Sequence, residues 1–301
     1  MPRLATSDRY TLDLPAGHRF PIAKYALIRE QLLWQGIAEP ADFYDPGLCA
    51  EEDIWRVHTA DYWQRVRDQQ LSATEVRRLG LPQSPQLVLR SLSSSAGTLQ
   101  SALRALDDGI GMNLAGGTHH AFADRGEGFC VLNDQAIAAA HLLAHGRVRQ
   151  ILIVDLDVHQ GDGTAAIFRH EPRVFTFSMH AGANYPLRKE QSDLDVALAL
   201  GTGDAEYLQL LGGTLPRLLT QVQPDFIFYQ AGVDVLATDK LGKLALTKAG
   251  CQRRDELVLG LCHAHQLPVA VSMGGGYSER LGDIVDAHCN TFQVAFNLWS
   301  H

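Results

Sequence analysis

Apolar positions along the chain fall into two patterns, short β-branched or aromatic runs and longer stretches with helical spacing. The runs are 110–115, 151–154 (Ile151, Leu152, Ile153 and Val154), 174–179 (VFTFSM), 225–230 (DFIFYQ) and 268–273 (PVAVSM). Near-continuous hydrophobic character over so few residues predicts strands buried on both faces. Between them, 133–144, 207–222 and 247–263 read as packed helices. Earlier, Tyr25, Ile28, Leu32 and Leu33 share one face of a helix over 23–35 that Gly36 closes, and a second helix is expected over 51–68 with Trp55, Tyr62 and Trp63 as bulky contacts. Residues 71–95, with Pro82, Pro85 and a serine run from Ser93 to Ser95, read as a long surface loop entering a helix over 96–106. Strands alternating with helices imply βαβ units. The expected fold class is therefore α/β, an open, doubly wound parallel sheet with helices on both faces, and 1–301 is expected to form a single domain.

The polar residues sharpen this picture. Each strand run ends in small or reactive residues: GGTHH, DLDVHQGDG, SMH, AGVD and MGGGY in chain order. Open α/β sheets bind ligands at the carboxyl ends of their strands, so five such endings at one edge predict a site there. Asp155, Asp157 and His159 follow the 151–154 run at spacings of two, which in an extended chain puts all three on one face. Buried carboxylates need a partner, and a divalent metal serves two carboxylates and an imidazole; the alternative is a strand end whose aspartates cap the next helix. Asp157, His159 and Asp234 supply the three donors of a catalytic zinc with a position left open, and the same set suits iron(II) or manganese(II). His119 and His120 have the placement for acid–base work, with Asp155 and Asp162 available to orient their rings. Tyr277, beside Gly274 to Gly276, can bring a phenol to a developing oxyanion, and Phe129, between Gly128 and Cys130, can wall a narrow channel. Assembled, these parts describe metal-assisted hydrolysis of an amide.

Composition narrows the class. Hydrophobic residues make up 46% of the 301 and charged residues 20%, the balance of an ordinary globular chain. The formal net charge of −8 argues against a general affinity for nucleic acid or an anionic membrane, while a cationic substrate would not be repelled. Five cysteines without CxxC pairing argue against a disulfide framework. With no signal-like apolar stretch at the start and no run of eighteen apolar residues, a cytoplasmic protein is expected.

GGTHHAFADRGEGFCVLND, DLDVHQGDGTAAIF, AGVDVLATDKLGKLALT and GGGY, in this order, resemble the histone deacetylase family of the arginase/deacetylase fold. DRGEGFC, DLDVHQGDG and TKAGCQRRDELV look most similar to its class IV branch and bacterial relatives, and the resemblance runs over nearly the whole chain. It implies zinc on Asp157, His159 and Asp234, His120 as the main acid–base residue, His119 as its electrostatic partner, Asp155 behind His119, Asp162 behind His120, and Tyr277 as oxyanion donor. It implies Phe129, next to Gly128, as one wall of an acyl-lysine channel, with Tyr185 the candidate for the second aromatic. A monovalent cation, potassium, is implied on backbone oxygens around Asp155, Asp157 and His159 with Ser178 and Met179. The rim aspartate of several class I members has no counterpart, since 79–90 holds no acidic residue. The substrates implied are an acyl-lysine peptide or protein, or a small acylated amine such as an acetylpolyamine. A non-catalytic binding protein on the same scaffold would usually have lost a metal ligand or the tyrosine, and all are present here. An arginase-like dimanganese enzyme would need a second cluster of metal carboxylates.

Overall fold

A computed structural model describes residues 2–300. Its centre is one sheet of eight parallel strands: β1 (Leu4–Ala5), β2 (Phe43–Tyr44), β3 (Ile110–Asn113), β4 (Ile151–Asp155), β5 (Val174–Ala181), β6 (Leu194–Leu198), β7 (Phe226–Gln230) and β8 (Val269–Ser272). The order across the sheet is β2-β1-β3-β8-β7-β4-β5-β6. The order reverses in the middle, as in a doubly wound fold, so crossover segments cover both faces. Side chains alternate accordingly: Ile151 and Ile153 join one buried cluster with Phe226 and Phe228, while Leu152 and Val154 join another with Ile227 and Tyr229. Helices α5 (Pro85–Asp108), α6 (Asp134–Ala144) and α7 (Asp162–Phe168) lie on the first side; α1 (Lys24–Trp34), α8 (Asp204–Val222), α9 (Lys248–Ala264) and α10 (Leu281–Trp299) pack with one another on the second.

Two expectations need correction. The helix expected over 51–68 is two helices, α2 (Glu51–Ile54) and α3 (Ala60–Arg67). Thr59 starts the second by taking the Tyr62 N–H on its side chain at 3.3 Å, and His58 is held inward by the Asn133 N–H at 2.9 Å. The stretch expected as a loop, 71–95, instead forms α4 (Ala73–Leu79), capped by Ser72 and Gly80, and then the first half of α5. Ser84 caps α5 and Pro85 occupies its first turn, where a missing N–H costs nothing. The serine run is buried: Ser93, Ser94 and Ser95 are small enough for α5 to press onto β3, where a Cβ on Gly111 would sit 1.9 Å from the Ser101 carbonyl oxygen. Low volume, not exposure, explains those serines. Strands β1, β2 and β6 and helix α10 have no counterpart in the sequence reading.

All five cysteines are free and buried. No helix among the described residues is long and apolar enough to cross a membrane.

Candidate active site

The strand ends expected to share an edge do so. In the ladders Asp155 lies opposite Ser178 and Gln230, and Asn113 and Gln230 both lie opposite Ser272. The loops beyond these residues enclose a cavity of about 530 Å³ whose lining includes His119, His120, Phe129, Asp157, His159 and Tyr277. Gly128, Tyr185 and Gly275 also contribute.

The DLDVH segment converges for a different reason than strand alternation. Strand β4 stops at Asp155, and Asp157 and His159 sit in the turn that follows. That turn is folded by its own carboxylates: Asp155 Oδ1 accepts the Asp157 N–H at 3.1 Å and Asp157 Oδ1 accepts the His159 N–H at 3.0 Å. Asp155 thereby turns toward His119, while Asp157 and His159 meet Asp234 from the end of β7. Each of these three brings a ligand atom to within 4.8 Å of the others, and all three are buried. The Nδ1 of His159 lies 3.1 Å from Asp157 Oδ1 and 3.2 Å from Asp234 Oδ2. Asp234 Oδ1 accepts the Val158 N–H at 2.9 Å, whereas Oδ2 makes no well-formed hydrogen bond. Burial, then the Asp157 charge, pushes the Asp234 carboxyl up to about 7. Burial would lower the His159 imidazolium, but the Asp157 and Asp234 carboxylates outweigh it and raise it to about 10. Two carboxylates and one imidazole packed together out of water, with an oxygen left over, fit a divalent ion. A Cβ on Gly275 would stand 2.0 Å from Asp234 Oδ2 and 2.8 Å from Asp157 Oδ2, so only glycine lets that backbone lie against the set.

The two histidines beside it are paired with carboxylates as expected. His119 Nδ1 lies 2.6 Å from Asp155 Oδ2, and His120 Nδ1 lies 2.6 Å from Asp162 Oδ1. Their ring centres are 4.1 Å apart. Burial opposes the charge on His119, but Asp155 and then Asp157 hold it up to about 9. Burial and the charged His119 push His120 down to about 4, against Asp162. Neighbouring imidazoles are therefore driven apart, one charged and one neutral at pH 7. Asp162 opens α7, but its carboxylate serves His120 and its own turn, so the capping alternative does not describe it. Burial, then the Asp234 and Asp157 charges, raises the Tyr277 phenol well above its ordinary value, so it stays a donor.

Gly128 has φ +53°, and a Cβ there would meet His120 Cδ2 at 2.8 Å. Phe129 itself has φ +70°, a costly conformation for an aromatic residue, held by its N–H on the Leu79 carbonyl at 2.7 Å. Its ring lies 5.8 Å from that of Tyr277. Tyr185, the candidate for a second channel aromatic, stands edge-on to His120 at 5.0 Å. Ser178 and Met179 are buried on β5, Ser178 with its hydroxyl 3.0 Å from His180 Nδ1.

Several positioning groups escape the sequence reading. Asp134, in the first turn of α6, accepts the N–H groups of Gly117 and Thr118 at 3.0 and 2.7 Å and so fixes the loop carrying both histidines. Asp239 accepts the Tyr277 N–H at 2.6 Å. Arg254 of α9, fully buried against Asp255, donates to the carbonyls of Gly232 and Leu156 at 2.5 and 3.3 Å, tying together the segments that carry Asp234 and Asp157. Asp134, Asp239 and Arg254 lie inside the motifs GGTHHAFADRGEGFCVLND, AGVDVLATDKLGKLALT and TKAGCQRRDELV, which is the signal that could have found them.

Comparison with known proteins bears on the family and the fold. A family model described as histone deacetylase domain matches residues 18–292. An uncharacterized protein of Picosynechococcus sp. is 47% identical over 96% of this chain and 97% of its own length. Histone deacetylase 2 of Arabidopsis thaliana is 28% identical over 89% of this chain and 72% of its own. The crystal structure of an HDAC homolog complexed with SAHA superposes with a TM-score of 0.83 at 23% identity, covering 96% of this chain and 82% of that one.

Proposed function

The chain belongs to the histone deacetylase family, and from that premise we propose that it is a zinc-dependent hydrolase of Nε-acyl-lysine amides. The observation that carries the reading is the Asp157, His159 and Asp234 set standing beside two imidazole–carboxylate pairs, with Asp157, His159, His119 and His120 lining one cavity. A divalent ion held by those three residues supplies Lewis acidity, polarising an amide carbonyl and acidifying water.

The chain's own groups do the rest. His120 is neutral, with Nδ1 engaged by Asp162, so Nε2 is left to take a proton from the attacking water and return it to the departing lysine amine. His119 keeps its proton against Asp155. Its charge favours the negative oxygen that develops on the carbonyl and keeps His120 unprotonated for the next cycle. Tyr277 keeps its proton and donates a hydrogen bond from its hydroxyl to that same oxygen. Phe129 and Tyr185 exclude water along the lysine methylenes, and Gly128 lets the wall approach His120. Potassium on the backbone around Asp155, Asp157 and His159, with Ser178 and Met179, is a further part of the proposal and rests on the resemblance.

The test is acyl release by zinc-loaded protein from one lysine peptide carrying acetyl, butyryl, octanoyl or myristoyl groups, with acetylated polyamines alongside. Turnover of any peptide is the expected result. Turnover of polyamines alone would replace the substrate class, and silence on all of them with zinc bound would refute the reading.

A further inference from the structure

The mouth of the cavity is basic on a chain whose formal net charge is −8. Arg19, Arg78 and Lys243 line it and are exposed. Arg19 has no carboxylate partner among the described residues; its guanidinium lies 5.5 Å from the centre of the Phe129 ring. Lys243 likewise has none, and its ammonium reaches only the Lys240 carbonyl at 3.4 Å. Arg78 stands 3.7 Å from Glu127, but Arg125 already holds that carboxylate at 2.8 Å and the Tyr185 hydroxyl takes its other oxygen at 3.1 Å. The only carboxylate among the lining residues is Asp157, buried in the metal set.

We infer that the substrate this site prefers is an acyl-lysine flanked by acidic side chains in a peptide or protein. The inference rests on the deacylase reading and adds to it the charge of the sequence around the lysine. Acylation removes the lysine's own charge, so the inserted side chain gains nothing from the rim. The flanking residues stay outside, within reach of Arg19 and Lys243, which have no carboxylate partner among the described residues, and of Arg78, which shares Glu127 with Arg125. Charge complementarity of this kind sets partner choice, and a polyamine or a basic tail would meet like charge instead. Exposed pairs are individually weak and screened by salt, so two or three together give about tenfold in kcat/KM, about 1.4 kcal/mol.

The experiment uses the zinc-loaded full chain and three peptides that differ only in the flanks of one acyl-lysine: glutamate, glutamine or lysine. Both kcat/KM and binding by fluorescence anisotropy are measured, at low salt and at about 1 M, where the Debye length is about 3 Å. The expected order is glutamate over glutamine over lysine, about tenfold from end to end, collapsing at high salt and inverting in the double variant Arg19→Glu, Lys243→Glu. Should that variant not fold, Lys243→Gln, at an exposed and unpaired position, is expected to narrow the spread. Equal constants for the three peptides, or a preference that survives high salt and the substitutions, would overturn the inference. Cleavage of all three at equal rates refutes the rim and leaves the deacylase standing. Tighter binding of the glutamate peptide with cleavage of none refutes the deacylase and leaves the rim.

Discussion

Replacing Asp234 by asparagine is expected to shift stability in opposite directions with and without metal. The Asp234 carboxyl, fully buried, is pushed from an ordinary 3.8 up to about 7, first by burial and then by the Asp157 charge. Between those two values the native state holds a proton that the unfolded chain has released. Stability of the metal-free protein therefore falls as pH rises through this window, and the loss is complete above pH 7. Three units at about 1.4 kcal/mol each put the penalty at about 4 kcal/mol. Asparagine removes the charge and keeps an oxygen for the Val158 N–H. It also takes one of two carboxylates from His159, which returns part of the gain. The net expectation at pH 8 in chelator is a variant more stable than the parent by about 2 kcal/mol, a rise of several degrees in Tm. With zinc the sign reverses. Ligand at a thousandfold excess over Kd stabilises the parent by about 4 kcal/mol, most of which the variant forgoes. Thermal unfolding of both proteins in chelator and in zinc reads all four values. A variant less stable than the parent in chelator, or equal stabilisation of the two by zinc, would refute the reasoning.

Tyr277→Phe is expected to lower kcat by about 10² to 10³ while zinc content stays at the parent's level, checked by steady-state kinetics and metal analysis; near-normal turnover would remove the oxyanion role. Gly275→Ala places a methyl 2.0 Å from Asp234 Oδ2 and is expected to weaken zinc binding by tenfold or more, on the order of what a disturbed metal environment costs. Calorimetric titration showing parental affinity would mean the backbone can move aside. Burial lowers the His58 imidazole from 6.5 to about 4. Its contribution to stability is complete above pH 6.5 and is lost as pH falls toward 4, about 3 kcal/mol in all. Urea unfolding from pH 7 to 4 is expected to show a steeper loss in the parent than in His58→Gln, and parallel curves would contradict it.

The sequence made the sheet legible wherever a strand is a continuous apolar run bounded by small residues, as at Ile151–Asp155 and Val269–Ser272. It made the site legible because the reactive residues stand at the ends of those runs. Less visible was anything whose meaning depends on a partner distant in the chain. The serines of Pro85–Asp108 look like loop residues until β3 is seen pressed against them. Asp134 looks like any acidic residue opening a helix, and Asp239 like a turn residue, until the N–H groups of Gly117, Thr118 and Tyr277 are found on their oxygens. Strands of two residues, such as Leu4–Ala5, are too short for any periodicity to show. The convergence of Asp157 and His159 was read correctly from a geometry the chain does not adopt, since the strand has ended before either residue.

The central claim is that one metal ion on Asp157, His159 and Asp234 makes this cavity an amide hydrolase. The most direct measurement is to titrate chelator-stripped protein with zinc while recording amine release from an acetyl- or longer-acyl-lysine peptide. The account predicts activity that starts from nothing, rises linearly and breaks at one equivalent per chain, with Asp234→Asn flat throughout. Full activity in the stripped protein, or an Asp234→Asn curve that follows the parent's, would contradict it.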